Sequence, residues 1–152
     1  MKKTEVLIRQ LECKTLTQAT TNTNVSAASV GWHIEHSLLV ANGIISALKK
    51  SDPAQYKWQF NFPRFVVMTV LNKIPRGRGK APESVRPKGD FTIESLKAKA
   101  EATIERLSEL NGIDSNSNFK HPYFGQLNLK LAIQFIEIHT QHHLNIIDDI
   151  LK

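Results

Sequence analysis

Apolar residues recur along most of the chain at the three-to-four-residue spacing of amphipathic helices. Four long segments show this pattern: residues 3–19, 29–50, 92–111 and 129–151. N-cap residues stand at the start of the last three segments, as Ser29, Thr92 and Asn128, and Gly112 is placed to end the third. The pattern predicts an all-α protein built as an up-and-down four-helix bundle.

The connections between the helices carry turn chemistry. Residues 20–24 are threonines and asparagines, and Ser51-Asp52-Pro53 ends the second helix. The long connection between the second and third helices holds an apolar stretch at 54–74. Its β-branched residues would suit a strand at 65–70, but a helical chain favours a short helix there. Loops are predicted at 75–82 and 113–127.

The apolar pattern also predicts which side chains form the core. In the first helix the inner face would be formed by Val6, Leu7, Leu11 and Leu16. Four large aromatic residues elsewhere are also expected in the core: Trp32, Phe62, Phe65 and Phe135.

The composition is that of an ordinary globular protein, and 152 residues predict one domain spanning 1–152. Cys13 is the only cysteine, so no intrachain disulfide can form, which suits a reducing compartment. We find no signal-peptide pattern and no uncharged apolar run near the ~20 residues of a membrane span. These features predict a cytoplasmic protein without membrane contact.

The net charge of +6 is concentrated in one stretch, from residue 73 to residue 88. Glu83 is its single acid, and it holds six cations: Lys73, Arg76, Arg78, Lys80, Arg86 and Lys88. Such a stretch suits a small anionic ligand, although a solvated surface loop has the same composition. The sequence has no helix-turn-helix spacing and no RNA-binding aromatic motif, so nucleic acid is a disfavoured partner.

The last helix carries two histidines on its apolar face. His139 and His143 are four residues apart and therefore lie one turn from each other, while His142 lies on the flank. Their spacing lets both imidazoles reach one metal ion, but buried histidines that are satisfied by hydrogen bonds would look the same. This helix by itself leaves both interpretations open.

The second helix supplies candidates for a third ligand, since His33 and His36 flank Glu35. Three protein ligands and an open position are typical of catalytic zinc sites. We favour His36; His33 is left as a ligand, a hydrogen-bond donor to a ligand, or an exposed residue. Thr140 takes the place of the glutamate of an H-E-x-x-H motif, and no Glu-x-x-His pair exists. Imidazole ligands suit zinc, nickel, iron or copper.

These motifs together resemble those of the DinB-like superfamily of metalloenzymes. The segment 32–38 is similar to its W-H-x-x-H motif, and 139–143 is similar to its closing H-x-x-H-H motif. The segments 121–125 and 75–80 resemble one branch, for which no particular activity is implied. The resemblance extends over about residues 25–150. It implies a four-helix bundle with a metal site whose ligands are His36, His139 and His143.

The resemblance also implies a chemistry. Members of the superfamily include transferases and isomerases that depend on low-molecular-weight thiols, and related domains occur in the iron enzymes that make ergothioneine. We therefore expect a divalent ion (Zn, Ni or Fe), a low-molecular-weight thiol as cofactor, and a small, anionic substrate. A hydrolase is a further option. The alternative is a non-catalytic metal-binding or regulatory module, and a homodimer is compatible with either.

Roles for the remaining candidates follow from these expectations. His142, Glu35 or His33 would relay protons, although a solvated face explains Glu35 equally well. The basic residues Arg76, Arg78 and Lys80 would bind the carboxylate or phosphate of the ligand. His121 would line the pocket or, in the simpler interpretation, belong to an aromatic plug at the end of the bundle.

Overall fold

Helices make up most of the protein. The computed structural model describes residues 1–77, 82–89 and 91–152. Its helices are α1 (Lys2–Cys13), α2 (Val30–Lys50), α3 (Phe62–Phe65), α4 (Ile93–Ser108) and α5 (Leu129–Ile150). A π-helix, Val66–Leu71, continues α3. The short helix predicted for this apolar stretch is therefore confirmed, and residues 65–70 do not form the strand that was the alternative. Short 3₁₀ turns lie at Thr15–Thr17, Pro53–Gln55 and Glu83–Val85.

The predicted caps set the starts of the three long helices. The Ser29 side chain accepts the Trp32 N–H, and the Asn128 side chain accepts the Leu131 N–H. Thr92 forms a capping box with Ser95 at the start of α4. All the histidines at 33–36 and 139–143 lie inside the helices that these caps begin, so the helical period decides which of them share a face.

The long helices pack in a pattern that places α2 beside α5. Both α1 and α2 contact both α4 and α5. The largest fully buried side chains of α2 and α5 are Ile34, Leu38, Ile45, Leu48, Ile136 and Ile147. No helix in the described part of the chain is long and apolar enough to cross a membrane.

The loop predicted at 113–127 is partly wrong, because the segment contains an antiparallel hairpin. Strand β1 (Asn118–His121) pairs with β2 (Gly125–Asn128), and Phe119 lies opposite Leu127. Each strand has four residues, too few for a period-two pattern to stand out in the sequence. The hairpin packs against α2 and α5, so contacts distant in sequence hold it.

Four side chains predicted for the core are exposed instead: Val6, Leu16, Phe62 and Phe65. Leu16 is 72% exposed because α1 ends at Cys13, before the predicted helix would have turned this side chain inward. Phe62 is 66% exposed because α3 buries its other side, where the Arg64 guanidinium donates to backbone carbonyls of the hairpin. Phe135 is buried as predicted.

A glycine in the first turn of α2 is required by close packing. A Cβ on Gly31 would lie 2.3 Å from a ring carbon of Phe91. We expect Gly31→Ala to lower the free energy of unfolding by about 2 kcal/mol, because overpacking forces the ring to move. Urea denaturation would measure it.

Gly43 of the same helix is the matched control, since a Cβ there has no neighbour within 4 Å. Gly43→Ala should stabilise the protein by up to about 1 kcal/mol through helix propensity. Equal stability of the Gly31→Ala variant and the wild type would contradict the packing argument.

Candidate metal centre

Three histidines from two helices converge in the space between α2 and α5. His36, His139 and His143 each offer a ring nitrogen, and these atoms all lie within 4.8 Å of one another. Two nitrogens bound to one tetrahedral zinc ion are about 3.4 Å apart, so small side-chain rotations would complete such a site. No other cluster of three His, Cys, Asp or Glu residues with this proximity occurs among residues 1–77, 82–89 and 91–152.

His36 is held by contacts on two sides. Its Nδ1 lies 2.7 Å from the carbonyl oxygen of Val85. A carbonyl can only accept, so Nδ1 carries the proton and the neutral ring keeps a lone pair on Nε2. Trp32 stacks on the ring with a centroid distance of 4.9 Å and an interplanar angle of 18°. These contacts leave Nε2 as the atom that can bind a metal.

His143 is buried and shares a hydrogen bond with His33. The two Nδ1 atoms are 2.9 Å apart, which leaves Nε2 of His143 as its possible metal ligand. The Nε2 of His33 lies 2.9 Å from the Ser26 hydroxyl. His33 therefore lies beside the triad as a hydrogen-bond partner of one member and is not exposed; the direction of this bond depends on the tautomers of the two rings.

His139 has ring contacts but no hydrogen bond to the described part of the chain. Its ring centroid lies 4.6 Å from that of His143, 5.1 Å from that of His36 and 5.6 Å from that of Phe135. Both of its nitrogens thus remain uncommitted within the described residues.

The electrostatics of the triad favour neutral imidazoles. Burial lowers the pKa of His36 below its usual 6.5. The pKa values of His139 and His143 lie well below it, because of burial first and of the neighbouring histidines second. Metal ligation requires the unprotonated form, so near pH 7 the cluster needs to release few protons to bind an ion.

The sequence model of the DinB superfamily matches residues 3–147. The chain belongs to the DinB superfamily. The matched range contains every histidine of the triad and confirms the resemblance inferred from the motifs. No curated protein and no solved structure gives a significant match.

His142 of this DinB-superfamily protein faces a cleft on the outer side of the triad. The cleft has a volume of about 230 Å³ and is lined by His142, Lys73 and Arg76, among others. The ring centroid of His142 is 5.2 Å from that of His143. Burial and then the charge of Arg76 lower its pKa. Its side chain is thus next to the triad but directed into the cleft.

Two further candidates are engaged by other charges. Lys99 of α4 lies 2.5 Å from the Glu35 carboxylate, so Glu35 faces α4 and not the histidines on α5. Arg76 forms a 2.7 Å ion pair with Asp149 and also donates to the carbonyl of Asn145. Arg78 and Lys80 lie outside the described residues.

His121 shapes the hairpin turn. Its Nδ1 accepts the backbone N–H groups of Tyr123 and Phe124. The ring stacks on Phe124 at a centroid distance of 4.5 Å, and burial lowers its pKa to about 4. Phe135 lies between His121 and the triad, because its ring contacts those of both His121 and His139. These contacts agree with the simpler structural interpretation of His121.

Sequence reasoning did not find two partners of the site, Ser26 and the carbonyl of Val85. Val85 is 49 residues from His36, and a backbone carbonyl has no side-chain signature. Ser26 lies in a turn before α2, where serine is common for conformational reasons.

Proposed function

We propose that this DinB-superfamily protein binds one divalent metal ion through His36, His139 and His143 and acts with it on a small molecule. The observation that carries the proposal is the convergence of three ring nitrogens in an environment that keeps imidazoles neutral. An ion with three protein ligands and an open position lowers the pKa of a water or thiol there. The imidazole donors favour zinc, nickel or iron.

The framework of the site is an up-and-down four-helix bundle of α1, α2, α4 and α5. The contacts of α1 and α2 with both α4 and α5 support this arrangement. Ligand residues that lie within long helices are held more precisely than ligand residues on loops, and this precision suits a catalytic site. Trp32 and the Val85 carbonyl add restraint by fixing the plane and the tautomer of His36.

The substrate class that we propose is a small anion, with a low-molecular-weight thiol as co-substrate. The cleft beside His142 contains two cations, Lys73 and Arg76. Lys73 has no ion-pair partner among the described residues, so it is available to a carboxylate or phosphate. His142 would hold a proton at its ring nitrogen within this cleft. Transfer or isomerisation with a thiol is the reaction type suggested by family resemblance.

A non-catalytic metal-binding module is the second candidate. It is favoured by one observation, namely that the cleft is lined by His142 and by no histidine of the triad. In this alternative a fourth protein ligand would fill the open position that catalysis needs.

The proposal is tested by metal analysis of the purified protein and by titration of chelator-treated protein. We expect one equivalent of Zn²⁺, Ni²⁺ or Fe²⁺ per chain, and a Co²⁺ derivative whose visible spectrum responds to added thiol. Absence of binding at micromolar metal would overturn the metal site. A Co²⁺ spectrum unaffected by any thiol or small anion would favour the non-catalytic module.

A further inference from the structure

The buried residue His33 connects the triad to the turn that precedes α2. Its side chain is polar, yet the residue is only 4% exposed. Its Nδ1 meets Nδ1 of His143 at 2.9 Å, and its Nε2 meets the Ser26 hydroxyl at 2.9 Å. The same hydroxyl oxygen accepts the backbone N–H of Ala28 at 3.1 Å. Both ring nitrogens of His33 are therefore used in one connected network.

The donors and acceptors of this network can be arranged in two opposite directions. In the first, His143 donates from Nδ1 to His33, and His33 donates from Nε2 to Ser26. Each neutral ring then carries one proton, and the two lone pairs of the Ser26 oxygen are filled by His33 and the Ala28 N–H. Nε2 of His143 keeps its lone pair in this arrangement.

In the second direction, Ser26 donates to His33, and His33 donates to Nδ1 of His143. The proton of the neutral His143 ring must then sit on Nε2. That atom faces the other triad members and could not bind a metal ion while it carries a proton. Only the first direction is compatible with a metal ligand at His143.

We propose that His33 is a positioning residue that accepts a hydrogen bond from the Nδ1–H of His143 and so presents Nε2 of His143 to the metal. The inference rests on the proposed metal site and assigns His33 no direct contact with the ion. Hydrogen-bond partners of this kind fix the tautomer and ring orientation of ligating histidines. Val85 has the same function toward His36, but it acts through a backbone carbonyl that mutation cannot remove.

The test compares two replacements of His33 in the full chain. His33→Leu removes the acceptor, and we expect zinc affinity about 10- to 100-fold weaker than wild type. His33→Asn places a side-chain oxygen near the former Nδ1, so its affinity should return to within a few-fold of wild type. Ser26→Ala, which leaves His33 in place but removes its own acceptor, should give an intermediate loss.

Ser37→Ala is the matched control. The Ser37 hydroxyl donates to the backbone carbonyl of His33 at 2.8 Å, and the residue is buried like His33, but within the described residues it has no hydrogen bond to an imidazole. The zinc affinity of the Ser37→Ala variant should equal that of wild type. Circular dichroism would verify that each variant retains its helices. Equal losses of zinc affinity in His33→Leu and His33→Asn would overturn the positioning role.

A second readout is independent of metal binding. Nitrogen NMR of the chelator-treated protein reports which ring nitrogen of His143 carries the proton. We expect Nδ1 in wild type and His33→Asn, and a mixture in His33→Leu. If wild type binds no metal but shows this tautomer, the metal site fails while the hydrogen-bond assignment stands; a proton on Nε2 in wild type overturns the inference itself.

Discussion

His143→Ala is expected to abolish stoichiometric metal binding, with an affinity loss of at least about 100-fold. A ligand contributes directly to coordination, so its removal should exceed the loss caused by removing an outer hydrogen-bond partner. His143 is also the member of the triad closest to both others, with ring centroids 4.8 Å from His36 and 4.6 Å from His139. Two nitrogens are left after the substitution, and these cannot reproduce a three-ligand site.

The same result is expected for His36→Ala and His139→Ala, measured by calorimetry and by metal analysis after dialysis. His142→Ala is the control, because this residue has an imidazole adjacent to His143 but lines the cleft and is not a member of the triad. Metal content should remain near one equivalent in that variant. Full binding by the His143→Ala variant would refute the triad as a metal site.

The metal-free protein is expected to lose stability steeply as the pH falls from about 6.5 to about 4. Burial lowers the pKa of His33 and of His121 to about 4 in the folded protein. In the unfolded chain these groups titrate near 6.5, so between the two values the unfolded state binds more protons. Stability is thus complete above pH 6.5 and declines below it, by roughly 3 kcal/mol for each of these two histidines.

Other groups allow the histidine contribution to be separated. The pKa values of His36, His139, His142 and His143 are also lowered by burial, so these residues add to the decline in the same direction. The pKa values of Glu94, Glu109 and Asp149 are lowered as well, but carboxylates lose their charge only at lower pH. Their effect therefore begins where that of the histidines is nearly complete.

Urea denaturation at pH 7, 5.5 and 4.5 would measure this dependence. Replacement of one contributor by a group that does not titrate, as in His121→Asn, should reduce the slope by up to about 1.4 kcal/mol per pH unit. Bound zinc should shift the decline to lower pH, because the ion binds the neutral imidazoles of the native state. A stability that is constant from pH 7 to pH 5 would be incompatible with buried neutral histidines.

Local sequence signals accounted for the helices and for two of the three histidines of the candidate site. Ser29, Thr92 and Asn128 are recognisable as caps because their chemistry acts on residues two or three positions away. His139 and His143 share a face of α5 through helical geometry alone. In contrast, the exposure of Phe62 and Phe65 was not predictable from their apolarity, since Arg64 anchors the opposite side of α3 to the hairpin.

The sequence by itself determined the helical class, the starts of the long helices and the pair of histidines on α5, because these depend on spacings within one segment. Only the tertiary structure decided that His36 lies with that pair while His33 is hydrogen-bonded to one of its members. Both histidines lie on α2, and the distinction depends on partners far along the chain: Val85 for His36, and His143 for His33. Hydrogen bonds between distant segments exist only after the helices pack, and no local pattern encodes them.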